Sequence, residues 1–179
     1  MYKSKYKMFL NYIKEISLKR ILKNSFKNIN NLVGVTAIKS VGLLLDESYF
    51  SKKDELINEL VANGIRKDRI DVIIFNDKIA ANEVFSYPTF NYKHISISGK
   101  FTEKVIVNFI QNKFDLLISY YDIEKPSLLL ITNSSQASFK VGFSNIDKRL
   151  NNLTITTTAE NYKIFVFELF KYLKILKKI

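Results

Sequence analysis

Short apolar runs constrain the fold of this chain more than any other feature. Four of them are VGLLLD (41–46), DVIIF (71–75), DLLISY (115–120) and FKVGF (139–143). A strand that is buried on both faces gives such a continuous apolar run, and strands of this kind belong to parallel sheets with helices on both sides. The sequence therefore predicts an α/β fold with a mostly parallel, doubly wound (Rossmann-like) sheet.

Helical segments separate these runs, as that fold requires. The stretch SKKDELINELVANG (51–64) predicts a helix with Ser51 as its N-cap and Asn63-Gly64 as its stop. Further helices are predicted at 102–112, from Pro126 to about 134, and at 159–178. Two more strands are predicted, HISIS (94–98) from its alternation and LTITTT (153–158).

The chain is long enough for one domain plus an extension, and its 47% of hydrophobic residues can form a core. We predict a basic N-terminal helical extension, 1–30, and a single α/β domain, 31–179, that ends in a Lys-rich helix. There is no cysteine, which excludes disulfides and thiolate metal sites and is compatible with a cytoplasmic location. Neither a transmembrane segment nor a secretory signal is predicted.

Positive charge is concentrated at the two ends of the chain. Residues 1–27 carry eight basic side chains and one acidic one, and residues 160–179 carry five lysines and two glutamates. The net charge of the whole chain is +11, so 28–159 contribute only +1. Basic ends on a near-neutral body are typical of a protein that binds a nucleic acid or an anionic membrane surface.

The spacing of apolar residues predicts a helix over 3–24, with one apolar stripe that fades after about Ser17. The stripe contains Tyr2, Tyr6, Phe9, Ile13 and Ile16. Three roles remain open for this helix. Its lysines can contact RNA, it can bind to an anionic membrane surface, or its stripe can pack on the body.

The final helix combines lysines with aromatic residues on one side. Its five lysines fall within an arc of about 120°, which also contains Phe167 and Phe170, whereas Phe165, Leu169, Leu173 and Leu176 point the other way. Lysines can contact a phosphate backbone and a ring can stack on a base. The alternative is an amphipathic helix whose lysine face is only solvated.

Three shorter segments are weaker candidates for binding. The stretch FSYPTFNYKH (85–94) predicts an aromatic-rich loop, which can stack on bases but more often folds back on the core. Two basic turns can bind phosphate or remain solvated, one with Arg66, Lys67 and Arg69 and one with Lys148 and Arg149.

Catalytic chemistry has little support in the sequence. Asp46, Asp77 and Asp122 each follow an apolar strand, where open α/β sheets bind ligands, and three carboxylates can hold Mg²⁺. Acidic residues also end strands for reasons of turn geometry. His94 is the only histidine, and a structural role is expected for it. We predict no catalytic residue, no metal and no cofactor.

Two resemblances to known families extend these expectations. The stretch FDLLISYYDIEKPSLLLITNSSQASFKVGF (114–143) resembles the N-terminal half of lipopolysaccharide heptosyltransferases, through Asp115 and Val141-Gly142-Phe143. That resemblance implies a fold but no activity, since those enzymes need a second Rossmann-like half.

The second resemblance covers most of the chain. The stretch KVGFSNIDKRLNNLTITTTAENYKIFVFELFKYLKILKKI (140–179), the basic first helix, VGLLLDES and FDLLISYY resemble a small, basic, uncharacterised family from Bacteroidetes. They are also similar to the additional large-subunit ribosomal protein of flavobacterial ribosomes, which implies rRNA binding in a structural role.

The sequence therefore predicts a non-enzymatic, ribosome-associated RNA-binding protein of the large subunit, with rRNA and neighbouring ribosomal proteins as partners. The alternatives are a glycosyltransferase-like or nucleotide-binding domain, or a peripheral membrane-surface protein. The predicted RNA-contacting residues are Lys3, Lys5, Lys7, Lys14, Lys19, Arg20, Lys23, Lys27, Arg66, Lys67, Arg69, Lys148, Arg149, Lys163, Phe167, Phe170, Lys171, Lys174, Lys177 and Lys178.

Overall fold

The computed structural model describes residues 2–25, 37–78 and 85–179, with side chains from residue 11 onwards. Its strands are β1 Val41–Asp46, β2 Ile70–Phe75, β3 Thr89–Phe90, β4 Leu116–Tyr120, β5 Phe139–Phe143 and β6 Leu153–Ile155. Its α-helices are α1 Tyr2–Ser25, α2 Lys53–Ala62, α3 Lys104–Gln111, α4 Pro126–Ser134 and α5 Tyr162–Ile175. Short 3-10 turns lie at Lys67–Arg69, Tyr92–His94 and Lys148–Leu150.

The six strands form one parallel sheet in the order β3-β2-β1-β4-β5-β6. Helices α2 and α5 pack together on one face, and α1, α3 and α4 pack together on the other. This arrangement follows from right-handed crossovers that run in opposite directions from the centre of the sheet. The predicted mostly parallel, doubly wound α/β class is confirmed.

The parallel strands give the sheet two distinct edges. The strands begin at what we call the amino edge, where Val41 pairs with both Ile70 and Leu116, and Leu116 pairs with Phe139. They end at the carboxyl edge, where the helices that follow them begin. Strands are added to one side of β1 up to β3 and to the other side from β4 onwards, and sheets with this strand order bind dinucleotides in the crevice between β1 and β4 at the carboxyl edge.

The core lies on both faces of the central strands. All six residues of β1 and all five of β4 are buried, as their apolar runs predict. Towards β5 the core is aromatic, because the Tyr120 ring lies 4.9 Å from Phe50, 5.1 Å from Phe143 and 5.0 Å from Phe165, measured between centroids. Edge-to-face and tilted ring pairs of this kind add about 0.5 to 1.5 kcal/mol each beyond their burial.

Helix α1 packs on the body, and its described side chains do so through a different face from the predicted stripe, of which Tyr2, Tyr6 and Phe9 have side chains outside the described part. Leu18 is fully buried and Leu22 is 3% exposed, whereas Ile16 is 47% exposed. The Ser17 hydroxyl donates to the Ile97 carbonyl at 2.8 Å, and the Asn133 side-chain amide donates to the Ser25 hydroxyl at 2.9 Å. Leu18 and Leu22 lie on the other side of the helix from Ile16, so the side chains that pack against the body are not those of the predicted stripe.

Two local predictions are also wrong. Ser51 is not the N-cap of α2, which begins after Lys52 and has no side-chain cap. The segment HISIS is not a strand, since a 3-10 turn and a single bridge from Ile95 to Phe101 replace it, and β3 lies instead at Thr89–Phe90. The aromatic residues of 85–94 largely join the core, because the Phe90 and Tyr92 rings each lie 5.3 Å from Phe75.

Candidate nucleic-acid interface

Lysines from the two terminal helices reach the amino edge of the sheet. Helix α1 ends there because its last residue, Ser25, bonds to Asn133 near the end of α4. Helix α5 ends there because the Lys178 carbonyl accepts from the Ile38 amide at 2.9 Å, just before β1. Lys23, Lys174 and Lys177 lie at these helix ends, are exposed, and have no ion-pair partner among the described residues.

Two further lysines at the amino edge come from the middle of the chain, where no cluster of charge in the sequence indicates them. Lys39 precedes β1 and Lys113 precedes β4, and both are exposed and unpaired within the described part of the chain. The Asp115 carboxylate holds these segments together, because one of its oxygens accepts from the Lys39 amide, the Ser40 amide and the Ser40 hydroxyl, each at 2.9 Å.

The outer face of α5 carries a smaller set of accessible groups than the sequence predicted. Lys163 is exposed and Phe167 is 66% exposed, but Lys171 pairs with Glu168 at 3.0 Å. Phe170 is 4% exposed, so its ring packs in the core and cannot stack on a base. Lys178 is also 4% exposed, with its ammonium 4.6 Å from the centre of the Phe139 ring. Phe170 and Lys178 are therefore corrected from surface groups to buried ones.

The end of α5 contains the only non-glycine residue with positive φ among the described residues, Lys177 at φ 53°. The Lys178 amide donates to the Leu173 carbonyl and the Lys177 amide to the Lys174 carbonyl, which closes the helix in the manner of a Schellman motif. Glycine is the usual residue at this position because it has no Cβ to strain.

We expect Lys177→Gly to raise the free energy of unfolding by about 0.5 to 1 kcal/mol, because glycine relieves the left-handed strain. Urea unfolding measures the change. Lys177→Ala is the control, since it removes the same charge but keeps a Cβ and should give no gain. Equal effects of the two substitutions would show that charge and not backbone strain is responsible.

Lys140 also lies near the amino edge, but its side chain points inward. Its ammonium donates to the Thr132 carbonyl at 2.7 Å near the end of α4, and burial lowers its pKa to about 8. The folded state therefore releases this proton at lower pH than the unfolded state does, and the contribution of Lys140 to stability increases from about pH 8 to about pH 10.5.

We expect the wild type to gain about 1 to 2 kcal/mol from Lys140 between pH 7 and pH 9.5, and Lys140→Met to lack this gain. Measuring urea unfolding of both proteins across that range isolates the effect, because other groups titrate alike in both. The comparison stops below pH 10. Burial raises the pKa of Tyr120 and Tyr121, so the contribution of these two tyrosines to the free energy of unfolding falls above that pH. Parallel pH profiles would contradict the assignment.

The predicted basic turns are largely neutralised by their own aspartates. The Arg66 guanidinium makes two bonds to Asp68, at 2.7 and 3.0 Å, and holds the pKa of that carboxyl below its usual value. Arg149 does the same to Asp147 near the carboxyl edge. Lys67 and Lys148 remain exposed, and Arg69 lies 3.8 Å from Asp68.

Helix α1 presents the rest of the predicted N-terminal set. Lys19 and Arg20 are exposed on its outer side, whereas the Lys14 ammonium donates to the Tyr92 carbonyl at 3.0 Å and so is directed at the body. The side chains of Lys3, Lys5 and Lys7, and the whole of Lys27, lie outside the residues that the structure describes.

At the carboxyl edge, a buried lysine occupies the crevice between β1 and β4. The Lys125 ammonium lies 2.7 Å from one Asp46 oxygen and 2.9 Å from the Ser48 hydroxyl, with Asp77 at 3.6 Å. The rings of Tyr49 and Phe75 lie 4.8 and 4.7 Å from it. Lys125 is 8% exposed and Asp46 is 5% exposed, so this ion pair is part of the interior.

The three aspartates considered as an alternative Mg²⁺ site do not meet at this edge. Asp46 and Asp77 face Lys125, but Asp122 accepts from the Ala159 amide at 2.8 Å, away from them. No three histidine or acidic residues in the described ranges are placed to hold a metal ion. His94 has a structural role, since its Nδ1 accepts from the Asn91 amide at 3.1 Å.

These features define a doubly wound α/β protein of the Rossmann-like class, whose crevice contains an internal ion pair. The chain belongs to a family of unknown function, DUF6913, whose model matches residues 14–176. The match begins within α1 and extends to the end of α5. No curated protein and no solved structure matches the chain. Among the described helices, none is both long and apolar enough to span a membrane.

Proposed function

We propose that this chain is a non-enzymatic RNA-binding protein of the cytoplasm that associates with the large ribosomal subunit. The observation that carries the proposal is the set of exposed lysines on both terminal helices that lack ion-pair partners among the described residues, on a body of nearly zero net charge. Partners of opposite charge and large size are expected to bind such a surface.

The chemistry expected of this surface is contact with phosphates. Lysine ammoniums release counterions from an RNA backbone when they bind it, which gives affinity that depends on salt and little on sequence. Phe167 on the outer face of α5 adds a ring that can stack on an unpaired base. Ribosomal RNA offers both features, together with neighbouring proteins for the remaining surface.

Fluorescence anisotropy of the purified protein with labelled ribosomal RNA fragments, over a series of salt concentrations, tests the proposal. We expect the logarithm of the binding constant to fall linearly with the logarithm of salt concentration. Lys163→Gln, Lys174→Gln and Lys177→Gln together should lower that slope by about 2 to 3, at roughly 0.7 to 0.9 for each lost contact.

The matched control for charge is Lys52→Gln, Lys100→Gln and Lys104→Gln, which removes three exposed lysines that belong to neither terminal helix. We expect the slope of this variant to stay within about 0.5 of the wild type. Absence of RNA binding at low salt, or equal slopes for both triple variants, would contradict the proposed role of the terminal helices.

A second candidate function is nucleotide binding, either in a glycosyltransferase-like enzyme or in a degenerate domain that has lost the activity. It is favoured by the strand order β3-β2-β1-β4-β5-β6, which dinucleotide-binding sheets share. It is disfavoured by Lys125, which fills the crevice at the switch point with its bonds to Asp46 and Ser48. Calorimetric titration with nucleoside diphosphates and their sugars tests it, and saturable heat would support it.

A further inference from the structure

The amino edge of the sheet brings together lysines that are far apart in the sequence. We propose that the segments before β1 and β4, with the end of α5, form one continuous surface that binds the phosphate backbone of RNA. We call it the amino-edge surface and define it by Lys39, Lys113, Lys174 and Lys177. The inference rests on the proposed function, because it locates RNA contact on a particular side of the fold.

Backbone bonds place these lysines side by side. The Ile38 amide donates to the Lys178 carbonyl at 2.9 Å. Lys39 follows the donor residue and Lys177 precedes the acceptor residue, so the backbones of the two lysines are neighbours. The Lys39 amide donates to Asp115 at 2.9 Å, two residues after Lys113. Because β1 and β4 are adjacent strands about 4.8 Å apart, the segments that carry Lys39 and Lys113 are neighbours.

The surface is held in a fixed shape before any ligand binds. Asp115 directs one carboxylate oxygen at two backbone amides and the Ser40 hydroxyl, so its charge is used within the protein. Asp68 and Asp71 also lie near this edge, where Asp68 pairs with Arg66 and Asp71 accepts from the Asn112 side-chain amide at 3.1 Å. The backbone that carries Lys39 is therefore fixed before binding, so only side chains have to be ordered when a ligand binds.

Helix dipoles and anionic lipid surfaces also attract lysines at positions of this kind. Cations near helix C-termini stabilise the helix dipole, and this applies to Lys174 and Lys113, which lie near the ends of α5 and α3. Lys39 follows no described helix, so the dipole does not explain it. Exposed Ile175 and Leu176 lie beside the lysines of α5, which makes an anionic lipid surface the competing partner.

The decisive variant is Lys39→Gln with Lys113→Gln, because neither residue belongs to a terminal helix. We expect it to lower the salt slope of RNA binding by about 1.4 to 1.8. Raising the salt from 50 to 200 mM weakens binding of both proteins, and the factor by which it weakens should be roughly 7 to 12 times smaller for the variant than for the wild type. The control is Lys52→Gln with Lys100→Gln, which should keep the wild-type slope.

Each outcome of this experiment has a defined meaning. A flattened slope in the Lys39 and Lys113 variant supports the amino-edge surface, since a lysine that only stabilises a helix dipole contributes nothing to the salt slope of RNA binding. A wild-type slope in that variant, while the α5 triple variant is flattened, overturns the inference and leaves the proposed function standing. No RNA binding by the wild type removes both, and flotation of that protein with phosphatidylserine vesicles would then assign the surface to lipid.

Discussion

Replacing Lys125 with methionine is expected to lower the free energy of unfolding by about 3 kcal/mol or more, because it leaves the buried Asp46 carboxylate without its cation. Methionine fills much of the same volume, so the loss reports the charge and the bonds to Asp46 and Ser48 rather than a cavity. After this substitution Asp46 keeps only the Ser48 amide, at 3.0 Å, among its described partners. Urea unfolding at pH 7 measures the loss.

A double substitution identifies the cause of that loss. Asp46→Asn combined with Lys125→Met removes both charges, and we expect it to be more stable than Lys125→Met alone, since replacing a buried ion pair as a unit costs far less than breaking it. If the double variant loses the sum of the two single losses, the pair does not interact as described. A loss below about 1 kcal/mol for Lys125→Met would place the ion pair in solvent.

Replacing Leu18 with alanine is the second large expected effect, a loss of about 2 to 4 kcal/mol. Leu18 is fully buried between α1 and the body, where it lies beside Gly99 and Leu130. Removing its three outer carbons leaves a cavity that the packed helices can close only in part. The midpoint of urea unfolding gives the value, with the slope checking that the transition stays two-state.

Ile16→Ala is the matched control, since Ile16 is on the same helix and is 47% exposed. We expect it to change stability by no more than about 0.5 kcal/mol. Small and equal losses for Leu18 and Ile16 would show that α1 does not pack on the body, and the orientation of Lys19, Arg20 and Lys23 towards solvent would then have no basis.

The central strands could be predicted from the sequence because burial on both faces leaves an unambiguous apolar run. Strand β3 could not, since it has two residues, Thr89–Phe90, and pairs with only the last two residues of β2. The packing face of α1 is not predictable from its own sequence, because apolar residues occur around most of this helix. Which of them face the body is decided by α4 and by the segment around Ile97, and neither is visible in the helix sequence.

The candidate surface was only partly predictable, for a similar reason. Clustered charge identified the lysines of the terminal helices, but Lys39 and Lys113 stand singly in the sequence and become neighbours only through the parallel pairing of β1 and β4. Each of them precedes a predicted buried strand by two or three residues. In a parallel sheet this spacing from the strand start puts both lysines at the amino edge. At the opposite edge, Asp46 and Asp77 do meet, but around Lys125, which no motif identified.

Sedimentation of a native lysate through sucrose gradients, at low and at high salt, tests the central claim of RNA attachment most directly. Antibody against this protein locates it in the gradient. We predict that the protein travels with the large ribosomal subunit at low and moderate salt, and that increasing salt releases it as phosphate contacts weaken. Recovery of the protein only at the top of the gradient at low salt would contradict attachment to the ribosome.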